Sequence, residues 1–278
     1  MLKKVAVVLR PAPPPAAEEL ANAVCQRLAK DGVEVWRSIV PDNGEFAKAV
    51  AEVDLVFAFG GDGTILNAAK TAAVHKVPIV GVDFGRFGFL AELAPAETLE
   101  KISAFVRGEH WVEERAMLRA ELVRGGEILG EYLALNDIVV GRSFLSGVID
   151  VRLDVNGEHV TTYIGDGVIA STATGSTAYN LAMGGPVIAP TMRAIVITAI
   201  APHLSFLGHL IVPETSTVSL YVGTRKGAAV TIDGQPDFSI EDKDMLNITN
   251  APHVSYFARL QPQSYFYTTL ANRLRRGG

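Results

Sequence analysis

Gly60-Gly61-Asp62-Gly63-Thr64 is the sharpest chemical signature in the chain. It stands between an apolar run at 55–59 and an Ala-rich stretch at 65–75, the pattern of a buried parallel strand running into a helix. Ligands of open α/β sheets bind at the carboxyl ends of such strands. Glycines let the backbone approach a ligand closely, and the start of the following helix offers N–H groups and a positive dipole end to phosphate. The charge of an aspartate opposes anion binding there. Its presence makes chemical sense if it accepts a proton from a hydroxyl or engages a metal. A second role is open to Asp62, since Asp is a favoured helix cap. Thr64 can cap the same helix or touch a phosphate. The phosphate motif G-x-x-x-x-G-K-[ST] is absent, and G-x-G-x-x-G fails at its last glycine, where Leu66 stands.

Four other places carry candidate chemistry. The run from Gly165 to Tyr179 holds Asp166, the hydroxyls of Ser171, Thr172, Thr174, Ser176 and Thr177, and no basic residue. It suits a polar neutral ligand such as a ribose or a carboxamide, and Ser/Thr-rich loops also serve as plain connections. Asn136-Asp137 lies inside an otherwise strand-like stretch, where both residue types are depleted. Asn136 has the donor and acceptor to read an adenine edge and Asp137 can accept from a hydroxyl; a turn or bulge is the alternative. Gly85-Arg86-Phe87-Gly88-Phe89 follows a second strong strand and can wall a pocket, and Asp233-Gly234-Gln235 reads as a hairpin turn. The histidines are scattered without metal-ligand spacing.

The elements that must position these residues fall into two groups. Over the first hundred residues strands at 5–9, 34–39, 55–59 and 78–82 alternate with helices at 16–30, 45–53 and 65–75. That rhythm predicts a Rossmann-like α/β domain with a parallel sheet. Beyond residue 100 the pattern turns to strands, at 118–123, 130–140, 148–156, 158–164, 168–171, 195–199, 217–222, 228–232 and 245–251. Val155-Asn156-Gly157-Glu158 is a strong hairpin signal, because Asn-Gly accepts positive φ. The expectation is an α/β domain at 1–100 and a β-rich, sandwich-like domain at 101–261 with one central helix at 176–183. A helix is expected at 264–276 within the tail 262–278.

Composition narrows the classes. The 278 residues are 49% hydrophobic and 20% charged, with a net charge of −5. A globular core follows, and a basic footprint for nucleic acid does not. One cysteine, Cys25, allows no internal disulfide, which suits a cytoplasmic protein. The uncharged stretches 167–192 and 194–213 are broken by Gly, Pro and polar residues, so no membrane span is expected.

Taken in order, these segments resemble the NAD kinases. The resemblance rests on Gly60–Thr64, Gly81-Val82-Asp83-Phe84-Gly85-Arg86-Phe87-Gly88-Phe89-Leu90, Leu135-Asn136-Asp137, the run from Asp166 to Pro186, and Asp233-Gly234-Gln235. Diacylglycerol and sphingosine kinases and phosphofructokinases share relatives of the first motif; the combination with the Ser/Thr run and Gly184-Gly185-Pro186 is specific. The resemblance implies transfer of the ATP γ-phosphoryl to the 2′-hydroxyl of the adenosine ribose of NAD, with a divalent cation, Mg, held mainly by the ATP phosphates and not by the protein. It implies Asp62 as proton acceptor. It implies nucleotide contacts from Gly60, Gly61, Gly63, Thr64, Phe87, Gly88, Phe89, Asn136, Asp137, Asp166, Thr174, Thr177, Ala178, Tyr179, Asn180, Leu181, Ala182 and Gln235. It also implies that the C-terminal helix at 262–278 packs back on the first domain, and a homo-oligomer, dimer or tetramer. A lipid kinase, or a dinucleotide sensor without catalysis, is the rival reading. The chain departs from the family in having Asp137 where Glu is common, Ile164 where many members have Arg, and Gly208-His209 where many have Arg-Pro.

Overall fold

The computed structural model describes residues 2–40, 44–85, 88–144, 147–203, 207–235 and 238–276. The chain opens with β1 (Lys4–Leu9), α1 (Pro15–Lys30), β2 (Glu34–Ile39), α2 (Glu45–Ala49), β3 (Leu55–Gly60), α3 (Asp62–Ala73), β4 (Ile79–Asp83), α4 (Thr98–Val106) and β5 (Trp111–Arg115). There follow β6 (Leu118–Arg124), β7 (Glu127–Ala134), β8 (Asp137–Arg142), β9 (Ile149–Val155), β10 (Glu158–Gly165), β11 (Gly167–Ser171), α5 (Tyr179–Ala182), β12 (Ala194–Ile200), β13 (His209–Pro213), β14 (Val218–Gly223), β15 (Ala228–Ile232), β16 (Phe238–Ile240) and β17 (Met245–Asn250). β18 (Ser255–Arg259) and α6 (Tyr265–Arg276) end it.

Contacts divide the chain into two compact units, Met1–Arg115 with His253–Gly278, and Ala116–Pro252. The first contains one sheet in the order β2-β1-β3-β4-β18-β5. Its neighbours are parallel except β5, which runs antiparallel to β18 along the pairs Ser255↔Arg115 to Arg259↔Trp111. β3 is buried at every position and β1 at all but its first residue, as strands covered on both faces must be. Pro15 starts α1, and Ala17, Ala21, Val24 and Leu28 make its buried stripe. α3 lies close because its buried face is largely alanine. At Gly81 a Cβ would come within 2.6 Å of Ile65 Cδ1 and 2.9 Å of Ala91 Cα, so β4 admits only glycine there.

The boundary expected at residue 100 falls inside α4. Ile102, Phe105 and Val106 bury in the same core as Val5, Leu9 and Phe57, and the Phe105 ring meets Phe57 edge-on at 5.7 Å. β5 and β18 had no clear period in the sequence, and their pairing ties 111–115 and 255–259 to the first sheet.

The second unit has two six-stranded sheets, β10-β9-β14-β17-β6-β7 and β13-β12-β11-β8-β15-β16, all with antiparallel neighbours. Leu118, Leu153, Leu220 and Leu246 of one and Ile138, Val168, Ile197 and Val230 of the other join one apolar core, which makes the pair a sandwich. The Asn156-Gly157 hairpin forms with φ of +53° and +84°. The single strand expected at 130–140 is instead two strands in different sheets, β7 and β8, parted at Leu135-Asn136. The helix expected at 176–183 is a short 3₁₀ turn, Gly175–Thr177, followed by the single turn α5. Among the described residues no helix is long and apolar enough to cross a membrane.

Candidate active site

In the first unit, the buried β3 delivers Gly60 and Gly61 to the carboxyl edge of the sheet, beside β1, where the strand order reverses direction. Gly61 is extended and occupies the capping position of α3, so Asp62 is the first helical residue and not the cap. Its carboxylate turns away to the loop after β4: Oδ2 accepts from Phe89 N–H at 2.7 Å and Oδ1 from Leu90 N–H at 3.2 Å. These two bonds orient the carboxylate, a group that can accept a hydroxyl proton.

The loop is fixed at both ends. Phe84 N–H donates to Gly60 O at 3.0 Å, Asp83 N–H to Leu93 O at 2.9 Å, and Glu92 and Leu93 both to Gly81 O. Gly85 donates to Asp83 Oδ1 at 2.9 Å. A Cβ on Gly88 would sit 2.6 Å from Asp62 Oδ1, and one on Gly85 2.9 Å from Gly61 Cα. The glycines of the sequence motif are therefore places where the loop touches the Asp62 turn. Arg86 and Phe87 lie outside the described residues.

In the second unit, the break between β7 and β8 is held by Asp233. Ile232-Asp233-Gly234-Gln235 forms a two-residue turn with Asp233 φ +52° and Gly234 φ +66°, closed by Gln235 N–H to Ile232 O. From that turn the Asp233 carboxylate accepts N–H bonds from Leu135 (2.9 Å), Asn136 (2.7 Å) and Asp137 (3.0 Å). Asp137 lies beside it, 4% exposed. Burial, and then the neighbouring Asp233 charge, push its carboxyl up to about 7. That places Asp137 where it can change charge near neutrality, a property common at functional sites.

The hydroxyl-rich run packs against the same break. Thr172 donates from its hydroxyl to Leu135 O at 2.6 Å and from its backbone to Asn136 O at 2.9 Å, and Ser171 Oγ also donates to Asn136 O. Gly175 has no room for a side chain, since a Cβ would lie 2.5 Å from the Asn136 carbonyl carbon. Ser176 Oγ donates to Ala173 O and accepts from Ile188 N–H. Asn180, wholly buried, donates to Ser176 O and Pro186 O and accepts from the Thr198 hydroxyl at 2.6 Å. That leaves His209 Nδ1 to donate to Thr198 Oγ1 at 3.2 Å, which sets the ring tautomer. Composition suggested that these hydroxyls serve a ligand, and the family resemblance implied the same of Asn180. The structure uses those of Ser171, Thr172, Ser176 and Asn180 to shape the turn. Thr177, Ala178, Tyr179, Leu181 and Ala182 are half-buried or exposed on its outside, while Thr174 is buried and its carbonyl accepts from Thr177 Oγ1.

Asp166 does not join this group within the chain. β8 and β11 pair with Ser171 opposite Asp137 and Gly167 opposite Gly141. Asp166 thus lies at the far end of β11, about 17 Å away at strand rise. There Arg142, which sequence reasoning missed, holds it in a two-pronged ion pair, Nε to Oδ1 at 2.6 Å and Nη2 to Oδ2 at 3.1 Å. No local signal marked it, since the strand expected at 130–140 stopped short of Arg142 and the register that brings it to Asp166 belongs to the fold. Gln235 is half-buried at the Asp233 turn, with its N–H closing it. Among the described residues no group of three or more His, Cys, Asp or Glu is arranged to hold a metal ion.

The chain matches known proteins over nearly its whole length. A family model described as the ATP-NAD kinase N-terminal domain matches residues 11–110, and one described as the ATP-NAD kinase C-terminal domain matches 135–260. The NAD kinase of Chloroflexus aurantiacus is 37% identical over 276 residues, covering 99% of this chain and 100% of its own length. That of Dehalococcoides mccartyi is 36% identical over 276 residues, 99% and 97% of the two chains. Among solved structures, an Archaeoglobus fulgidus NAD kinase in complex with ATP has a TM-score of 0.79 at 25% identity, over 98% of each chain. Yeast NADH kinase complexed with NADH shares the fold, with a TM-score of 0.88 at 22% identity over 99% of this chain and 88% of its own. With full-length relatives above 30% identity, one domain model spanning the Asp62 turn and the other the Asn136-Asp137 break, the chain belongs to the ATP-NAD kinase family.

Proposed function

We propose that this protein transfers the γ-phosphoryl group of ATP to the 2′-hydroxyl of the adenosine ribose of NAD, giving NADP and ADP. The ribose oxygen forms the new bond to the γ-phosphorus, the bond from that phosphorus to the bridging β–γ oxygen breaks, and the hydroxyl proton passes to Asp62. The observation that carries the reading is the Asp62 carboxylate, oriented by the Phe89 and Leu90 N–H groups at the end of a buried strand. Phosphoryl transfer depends chiefly on positioning and charge stabilisation. Gly60, Gly61, Gly63 and Thr64 supply backbone to receive phosphates, with Gly88 and Phe89 against the Asp62 turn; Phe87 is a further proposed contact. The divalent cation, Mg²⁺, enters with ATP as its phosphate complex.

For the dinucleotide, Asn136 presents an amide to the adenine and Asp137 a carboxyl to a hydroxyl, with Thr174, Thr177, Ala178, Tyr179, Asn180, Leu181, Ala182 and Gln235 forming the surround. Asp166 reaches a dinucleotide held at Asn136 only along the length of the ligand or from a second copy of the chain. Self-association as a dimer or tetramer, and a cytoplasmic setting, are part of the proposal.

The test is formation of NADP by the purified protein given NAD, ATP and Mg²⁺, with diacylglycerol, sphingosine and fructose phosphate as parallel acceptors. NADP alone is the expected product. Phosphorylation of a lipid but not of NAD would overturn the reading, and tight NAD binding with no turnover would turn it to a sensor.

A further inference from the structure

Behind the Asp62 turn the first unit buries a network of four charges. Arg259 of β18 is 0% exposed, and Glu92, Glu113 and Arg115 are each 3% exposed. Arg259 Nε donates to Glu113 Oε2 at 2.9 Å, and its Nη1 to Glu92 Oε2 at 3.3 Å. Arg115 Nη2 donates to Glu113 Oε2 and to the Tyr265 hydroxyl, both at 2.9 Å. Glu92 Oε1 accepts from Leu260 and Gln261 N–H. Two cations and two anions balance, as buried charges must.

One arm of this network leaves it. Arg259 Nη1 also donates to Leu90 O at 3.1 Å. Leu90 is the residue whose N–H donates to Asp62 Oδ1. Its two backbone polar groups are therefore pinned from opposite sides, by the proton-accepting carboxylate and by a fully buried guanidinium.

We propose that Arg259 is a positioning residue for Asp62, acting through the Leu90 peptide; the inference rests on the reading of Asp62 as proton acceptor. The planar guanidinium holds Glu113, Glu92 and the Leu90 carbonyl at once. Lysine is a point charge on a flexible stem and cannot keep all three. Freed from Arg259, the peptide that carries the Leu90 carbonyl rotates, the Leu90 backbone shifts with it, and the Asp62 carboxylate loses the restraint that the Leu90 N–H supplies. Displacements of about 1 Å at a reacting group cost on the order of 10²-fold in rate.

Arg259→Lys tests this. Turnover is expected to fall about 10- to 100-fold, with KM for NAD and for MgATP within about twofold, because the restraint bears on the reacting group and not on ground-state binding. Amide hydrogen exchange at Phe89 and Leu90, read in the unliganded protein, should quicken at least about 10-fold. Tyr265→Phe is the control. It removes a hydroxyl from the same network without touching Leu90, and should leave turnover and both amides unchanged. If Arg259→Lys does not fold, the charge-balanced pair Glu113→Gln with Arg259→Gln takes its place. Unchanged turnover and unchanged exchange at Leu90 would overturn the proposal, as would equal loss of turnover in Tyr265→Phe. A wild-type protein that forms no NADP would instead overturn the reading of Asp62, and the exchange measurement keeps the two failures apart.

Discussion

Replacing Asp137 by asparagine should make the second unit more stable, and increasingly so as the pH rises. In the folded chain the Asp137 carboxyl is pushed from 3.8 to about 7, first by burial and then by Asp233. The native state therefore binds a proton that the unfolded chain has released between about pH 4 and pH 7. Stability falls as pH rises wherever the native state holds more protons. At about 1.4 kcal/mol per pH unit, the Asp137 contribution costs about 2 kcal/mol at pH 5, grows to about 4 kcal/mol near pH 7, and levels off above that. The amide of Asp137→Asn cannot titrate, and every other group is common to both proteins. The stability gap between variant and wild type should thus widen by about 2–3 kcal/mol between pH 5 and pH 8, whatever fixed offset the amide introduces. Urea unfolding of both proteins at pH 5, 6, 7 and 8, following the transition of the β-rich unit, measures the gap. A gap constant to within about 0.5 kcal/mol across that range, well below the change that linkage demands, would show that Asp137 is ionised throughout, and the argument from burial and Asp233 would fail.

Three further outcomes follow from the site. Asp62→Asn should lower turnover by about 10² to 10⁴-fold, the usual share of a general base. It should also cost about 1–3 kcal/mol of stability, because an amide NH₂ must face either the Phe89 or the Leu90 N–H; steady-state kinetics with urea titration checks both, and near-wild-type turnover would falsify the base assignment. Gly88→Ala should reduce turnover without weakening NAD binding, since its Cβ would meet Asp62 Oδ1 at 2.6 Å; calorimetric NAD affinity beside kcat separates the two, and an unchanged kcat counts against the loop contact. Asn136→Ala should weaken NAD binding by about 1–3 kcal/mol and leave ATP binding alone; equal weakening for both nucleotides would assign Asn136 to the turn only.

Much of this arrangement was legible in the residues. Continuous apolar runs marked the strands at 5–9 and 55–59, because a parallel strand covered on both faces has no polar side to show. Asn156-Gly157 and Asp233-Gly234 announced their turns, because few other pairs accept two positive φ values. What stayed hidden depended on distance along the chain. At Leu135-Asn136 the residues left strand and turn both open, because Asp233, which ties the break, stands 98 residues from Leu135. Ser171 and Thr172 offered hydrogen bonds whose partners, Asn136 O and Leu135 O, lie 35 and 37 residues away at the β7–β8 break, where no local pattern could name them. Arg259 and Glu92 look like surface charges in sequence; 167 residues separate them, and only the fold makes them neighbours in the interior. The Asp62 motif left its capping role open, and Gly61 at the capping position of α3, with the Asp62 carboxylate on the Phe89 and Leu90 N–H groups, closes that question.

β18 enters the first sheet between β4 and β5, and this has a consequence for synthesis. Domains usually fold as they leave the ribosome, N-terminal first. Here β1 to β5 emerge early but must wait, with the β4 edge open and Glu92, Glu113 and Arg115 lacking Arg259, until more than a hundred further residues are made. The β-rich unit, continuous from Ala116 to Pro252, has every strand it needs before β18 is translated. The nascent chain should therefore acquire protease resistance from its middle outward, with the unit that carries Asp62 maturing last. A chaperone that shelters the waiting β4 edge would then act on the segment made first.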